Sequence, residues 1–142
     1  MKNKAPGFSL IELMAVIVIL GILATIVAVN VSPFLQRANV EKVRADLSQL
    51  EKALELYKFN ELVYPTTDQG IEALISPPND LKRPYLYPSD GYIAKLPLDP
   101  WGNPYLYLYP GIHGKGFDLF SYGADGLEGG VGENADIGNW ME

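Results

Sequence analysis

An apolar stretch near the N-terminus, from Leu10 to Val29, constrains the fold of this chain more than any other feature. It contains about 20 residues, and as a helix rising 1.5 Å per residue it would extend roughly 30 Å, the thickness of a bilayer's hydrocarbon core. Only Glu12, Gly21 and Thr25 interrupt it. An ordinary secretory signal peptide has a shorter apolar run, of about 7 to 15 residues. We therefore predict a transmembrane helix.

The charges and the residue composition limit the partners of the chain. Lys2 and Lys4 precede the apolar stretch, which predicts a cytoplasmic N-terminus and a periplasmic or exterior remainder. The 142 residues carry a formal net charge of −6 and include no cysteine. No basic stripe is present, so we expect no nucleic-acid partner. Any exported domain must be stabilised without disulfides, by packing, oligomerisation or a bound ion.

Glu12 lies inside the predicted membrane helix. A carboxylate in hydrocarbon is costly unless it finds a partner or a proton, so such residues usually mark function. Alternatively, Glu12 lies near enough to the cytoplasmic interface for its side chain to reach water. The first alternative requires a cation close to Glu12.

The second part of the sequence predicts an α+β head. An apolar stripe with alternating spacings of three and four indicates an amphipathic helix over residues 36–60; its members are Val40, Val43, Leu47, Leu50, Leu54 and Tyr57. Because Pro33 cannot donate a backbone hydrogen bond, we expect a kink or a loosened turn near residues 30–33.

Turn signals divide the rest of the head into short elements. Thr67 or Asp68 is the expected N-cap of a short helix that would end at Pro77-Pro78. Residues 105–109 and 117–121 are predicted strands, with residues 111–116 as a hairpin loop. A small antiparallel sheet packed on the amphipathic helix is the predicted architecture.

Lys4-Ala5-Pro6-Gly7-Phe8-Ser9-Leu10-Ile11-Glu12-Leu13 resembles the processing motif of type IV prepilins and pseudopilins. The resemblance implies a leader, residues 1–7, that a prepilin peptidase removes by cutting between Gly7 and Phe8. It also implies N-methylation of Phe8 and, during assembly, pairing of Glu12 with the terminal amine of a neighbouring subunit. Residues 8–30 would then form the transmembrane and assembly helix, and residues 31–142 the periplasmic head.

Three further segments, YPTTDQGIEAL, LPLDPWGNPY and ADIGNW, resemble the major, G-type pseudopilins of type II secretion systems. This resemblance implies a type IV pilin-like fold and a non-enzymatic subunit that polymerises into a periplasmic helical fibre supporting export of folded proteins. The implied partners are further copies of the chain, minor pseudopilins, an inner-membrane assembly platform and the prepilin peptidase.

The C-terminal segment, residues 121–140, is rich in glycine and acids. Calcium takes six to eight oxygens from carboxylates and carbonyls, and glycines let a chain bend around one ion. The spacing does not match an EF-hand, and solvated acids beside a turn at Asp125-Gly126 are the alternative. The resemblance to G-type pseudopilins implies a calcium site with Asp125 and Asp136 as carboxylate ligands and carbonyls at Tyr122 and Glu133.

Three other functions compete with this interpretation. The enzyme hypothesis has little support, because the sequence contains no recognised nucleophile or metal-hydrolase motif. Its only histidine, His113, lies in a glycine-flanked loop. A type IV pilin or competence pseudopilin shares the processing motif, although many pilins carry a C-terminal disulfide that this chain cannot form. A glycan- or peptide-binding head would use a set of tyrosines that are more often packing residues: Tyr85, Tyr87, Tyr92, Tyr105, Tyr107 and Tyr109.

Overall fold

The computed structural model describes residues 7–141, and for residues 28–30 only the backbone. Its elements are a long helix α1 (Leu10–Glu61) and three strands, β1 (Leu106–Leu108), β2 (Asp118–Ser121) and β3 (Ile137–Gly138). The strands form one antiparallel sheet in the order β1-β2-β3. Short 3₁₀ helices lie between these elements, at Ile71–Leu74, Pro84–Leu86 and Gly132–Asn134. The predicted α+β class is confirmed.

The chain divides into two compact units, one ending at Arg37 and the other beginning at Ala38. In the first unit, α1 exposes its apolar side chains on all sides, for example Ile17 and Leu20. The helix continues through Pro33. A proline removes one hydrogen bond from a helix without necessarily ending it, so the expected weak point does not terminate α1.

The second unit is built around the predicted stripe of α1. Val43, Leu47, Leu50, Leu54 and Tyr57 are buried, and Val40 packs against them. These residues share a core cluster with Leu119 of β2 and Tyr107 of β1. Because residues three or four apart lie on one helix face, the stripe presents one apolar surface to the core.

β1 follows the alternation expected of a half-buried strand, whereas β2 also buries the polar side chains of Asp118 and Ser121. β1 pairs with β2 so that Tyr107 lies opposite Leu119, and both are buried on the same face. The two strands fall within the predicted ranges of residues 105–109 and 117–121. β3 was not predicted, since its two residues lie in a glycine-rich segment without an alternating pattern.

The prediction of Thr67 or Asp68 as a helix N-cap was wrong. Thr66 and Gln69 form a reciprocal pair instead: the Thr66 N–H donates to Gln69 Oε1 at 2.8 Å, and the Gln69 N–H donates to Thr66 Oγ1 at 3.2 Å. This is the geometry of a capping box. Thr67 Oγ1 is engaged elsewhere, because it donates to Tyr109 O and accepts from the Tyr109 N–H, each at 2.9 Å.

Candidate functional sites

The N-terminal site comprises Gly7, Phe8 and Glu12 at the start of α1. Gly7 and Phe8 precede the first helical residue, Leu10, and Phe8 is 88% exposed. The Gly7–Phe8 bond therefore lies in accessible, non-helical backbone. Residues 1–6 of the predicted leader lie outside the described residues.

Glu12 is bound to Ser9 by a network within the first turn of α1. Glu12 Oε2 accepts hydrogen bonds from the Ser9 N–H at 2.7 Å and from the Ser9 hydroxyl at 3.0 Å. Ser9 Oγ in turn accepts from the Glu12 N–H at 3.3 Å. Ser9 was not predicted as a partner of Glu12, although Ser-x-x-Glu before an apolar run is the signature of a capping box. The carboxylate is thus held beside the backbone that directly follows Phe8.

The apolar part of α1 has the dimensions of a membrane span. Within residues 7–141 it is the one helix long and apolar enough to cross a bilayer, with a mean hydropathy of 2.8 over its most apolar window and none of that window buried. Its length and composition match the prediction from the sequence.

Each of the four predicted ligands of the C-terminal loop has its own local contacts. The Glu133 carbonyl lies against the segment after Tyr122, because it accepts a 2.8 Å hydrogen bond from the Ala124 N–H. Asp125 Oδ1 accepts from the Leu127 N–H at 3.1 Å, within its own turn. Tyr122 packs its ring on Phe120, with the centroids 5.2 Å apart.

Asp136 is the predicted ligand with an unsatisfied atom. Its Oδ2 accepts a 2.9 Å hydrogen bond from the Gly129 N–H, whereas its Oδ1 is buried and has no hydrogen-bond partner. A buried carboxylate oxygen without a donor is unfavourable unless a cation or water satisfies it. Across the described part of the chain, no three His, Cys, Asp or Glu residues form a cluster able to hold a metal.

The residues of the competing functions have structural partners. His113 Nδ1 lies 2.8 Å from Asp118 Oδ2, and its ring stacks on Trp140 with the centroids 3.8 Å apart. Tyr105 and Tyr107 are buried, and their hydroxyls donate to Asp46 Oδ2 and Pro65 O respectively. Burial, followed by the hydrogen bond to Asp46, raises the pKa of Tyr105. These tyrosines support packing rather than a binding platform.

Comparisons with known families point to one kind of protein. The family described as type II secretion system (T2SS), protein G, matches residues 30–140. The prokaryotic N-terminal methylation motif matches residues 2–28. The methylation-motif match covers the predicted processing segment. The protein G match covers nearly the whole head, including the segments YPTTDQGIEAL, LPLDPWGNPY and ADIGNW.

Individual relatives agree with this. The type II secretion system core protein G of Vibrio cholerae is 52% identical over 138 residues, covering 97% of this chain and 93% of that protein. The core protein G of Pseudomonas aeruginosa is 49% identical over 139 residues, covering 98% and 97%. The crystal structure of the major pseudopilin from the type 2 secretion system of enterohaemorrhagic Escherichia coli is similar with a TM-score of 0.68 and 42% identity, covering 80% of this chain and 96% of that one.

Proposed function

Because the chain belongs to the protein G family of type II secretion systems, we propose that α1 anchors it in the inner membrane with its N-terminus in the cytoplasm and its head in the periplasm. The chain is a structural subunit of the pseudopilus and not an enzyme. The observation that carries the membrane proposal is the exposure of the N-terminal, apolar part of α1, whose most apolar window has none of its residues buried. Lipid or the helices of other copies must cover such a surface.

A prepilin peptidase cleaves between Gly7 and Phe8 and leaves a methylated amine on Phe8. The exposure of Phe8 and the start of the helix only at Leu10 support this step, because a peptidase needs backbone that it can reach and that is not hydrogen-bonded into a helix.

Glu12 then pairs with the Phe8 amine of a neighbouring subunit. The hydrogen bonds from Ser9 use Glu12 Oε2 and leave Oε1 for a further donor. In a medium of low dielectric constant an ion pair is strong, and an unpaired charge is costly. One acid and one amine per subunit therefore set the register of helices that are otherwise uniformly apolar.

The assembled state is a helical fibre of many copies. Minor pseudopilins and an inner-membrane assembly platform are the further partners, and energy for extracting subunits from the membrane comes from outside the chain. The fibre supports export of folded proteins across the outer membrane. The subunit contributes its shape and its adhesive helix.

Replacement of Glu12 tests the assembly proposal in a host with a type II secretion system that lacks its own protein G. Glu12→Ala should be inserted and cleaved, as measured by mass spectrometry of the mature N-terminus, but should assemble few fibres. Thr25→Val is the matched control, because it also removes a polar group from the apolar part of α1. The Thr25 hydroxyl donates to Gly21 O within the same helix. Fibres at normal yield from Glu12→Ala would refute the role of Glu12, and a mature chain that keeps residues 1–7 would refute the processing step.

We also propose that the C-terminal loop binds calcium through the carboxylates of Asp125 and Asp136 and the carbonyls of Tyr122 and Glu133. The unsatisfied buried Oδ1 of Asp136 and the position of the Glu133 carbonyl support this assignment. A bound ion supplies positive charge that neutralises the two carboxylates. In a head with no cysteine, it fastens the loop in place of a disulfide.

A further inference from the structure

The buried carboxylate of Asp99 organises the turn of residues 99–103 and connects it to β2. Asp99 Oδ1 accepts hydrogen bonds from the N–H groups of Trp101, at 3.1 Å, and Asn103, at 2.7 Å. Asp99 Oδ2 accepts a 2.6 Å hydrogen bond from the Ser121 hydroxyl, and both side chains are buried. The turn therefore has a fixed conformation and a fixed attachment to the last residue of β2.

The hydrogen bonds continue from this turn into the C-terminal loop. Ser121 Oγ, which donates to Asp99, also accepts a 3.0 Å hydrogen bond from the Gly123 N–H. The Asn103 side-chain amide donates to Gly123 O at 3.3 Å. The N–H and the carbonyl of Gly123 are thus both bound to side chains, of Ser121 in β2 and of Asn103 in the turn. Gly123 directly follows Tyr122, whose carbonyl is a proposed calcium ligand.

Gly123 also lies close to the carbonyl of Glu133, the other proposed carbonyl ligand. A Cβ on Gly123 would lie 2.6 Å from Glu133 O and 2.9 Å from Ala135 O, and the residue has φ +72°. Only glycine fits a backbone that approaches another chain segment this closely at positive φ. The fixed position of Gly123 therefore determines where the Tyr122 and Glu133 carbonyls lie relative to each other.

We infer that Asp99 and Ser121 are positioning residues for the calcium loop, so that calcium affinity depends on two side chains that do not touch the ion. This inference rests on the calcium site proposed above. A glycine-rich loop loses much conformational entropy when it is ordered around an ion, and a loop that is already held in place loses less. Outer partners of metal ligands commonly change metal affinity by about 10- to 100-fold.

The test is a calorimetric titration of the full chain in detergent with calcium chloride. Ser121→Ala removes the hydroxyl that joins Asp99 to Gly123 and should weaken calcium binding by about 10-fold or more. Asp99→Asn keeps the size of the side chain but removes its charge, and we expect it to act in the same direction. Should Ser121→Ala fail to fold, Asp99→Asn decides the outcome.

Thr67→Val is the matched control, because it also removes a hydroxyl with two hydrogen bonds, but to Tyr109 and outside the loop. It should lower the melting temperature without calcium and leave the Kd unchanged. If the wild-type chain binds no calcium, the proposed site itself fails. If the wild-type chain binds calcium and both Asp99→Asn and Ser121→Ala keep its Kd, or Thr67→Val weakens binding equally, only the positioning role is refuted.

Discussion

The Tyr105 hydroxyl donates a 2.7 Å hydrogen bond to Asp46 Oδ2, which joins the start of the sheet to the middle of α1. The same carboxylate oxygen accepts a 2.6 Å hydrogen bond from Lys42 Nζ, which also donates to Leu98 O at 2.8 Å. Tyr105 is 3% exposed. Lys42 and Asp46 of the helix thereby anchor the chain before and after the turn of residues 99–103, through Leu98 and Tyr105 respectively.

Tyr105→Phe removes this hydroxyl and keeps the ring. A hydrogen bond to a charged group contributes about 1.5–3 kcal/mol, so we expect a loss of this size in the free energy of unfolding, measured by denaturant titration. Tyr85→Phe is the control, because Tyr85 is 80% exposed. Equal stability of the two variants would contradict the assigned anchoring role.

Two leucines of α1 test the orientation of its core-facing stripe. Leu50 is fully buried, whereas Leu56 is 50% exposed. Leu50→Ala should reduce the free energy of unfolding by about 2–5 kcal/mol because it opens a cavity. Leu56→Ala should change it by no more than about 0.5 kcal/mol. The same chemical change in one helix thus distinguishes the two faces, and a reversed order of the two losses would be incompatible with the packing described.

The head should lose stability at alkaline pH through its buried tyrosines. Burial, and secondarily the nearby Glu61 carboxylate, raise the pKa of Tyr57 to about 12. An unfolded tyrosine titrates near pH 10, at about its ordinary pKa. Between about pH 10 and 12 the unfolded chain loses this proton while the folded chain keeps it, so the free energy of unfolding falls as pH rises.

Unfolding titrations at several pH values between about 8 and 12 measure this effect. Tyr57→Phe should show a shallower decline than the wild type above about pH 10, and no difference in slope below it. Tyr85→Phe should decline as the wild type does. A Tyr57→Phe slope equal to that of the wild type would show that this residue does not contribute.

Removal of calcium should destabilise the head. Calcium at 100 times its Kd adds about 2.7 kcal/mol to the free energy of unfolding if it binds only the folded chain, so a chelator should lower the melting temperature of the full chain in detergent. Asp125→Ala and Asp136→Asn should each reduce the sensitivity to the chelator. Asp90→Asn, at an exposed turn position, should keep it. A melting temperature unaffected by the chelator and by Asp125→Ala would exclude the calcium site.

Local patterns in the sequence determine the long helix of this protein, the face of that helix that is buried, and its N-terminal site. The apolar stretch from Leu10 and the stripe from Val40 to Tyr57 determine the long helix and its buried face, because both depend only on spacing along one helix. The Ser9-x-x-Glu12 signature and the residues around Gly7 belong to one continuous segment as well. Such features are readable without knowledge of any distant contact.

The tertiary structure alone decided the remaining connections. Asn139 donates to Glu51 Oε1 and to Phe117 O and accepts from the Leu119 N–H, which ties the end of the chain to α1 and β2 and lets the two residues of β3 pair. The bond from Ser121 to Asp99 likewise joins separate segments. A polar side chain can serve a turn, a cap or a distant partner equally well, and only the burial of the folded core determines which groups must satisfy one another.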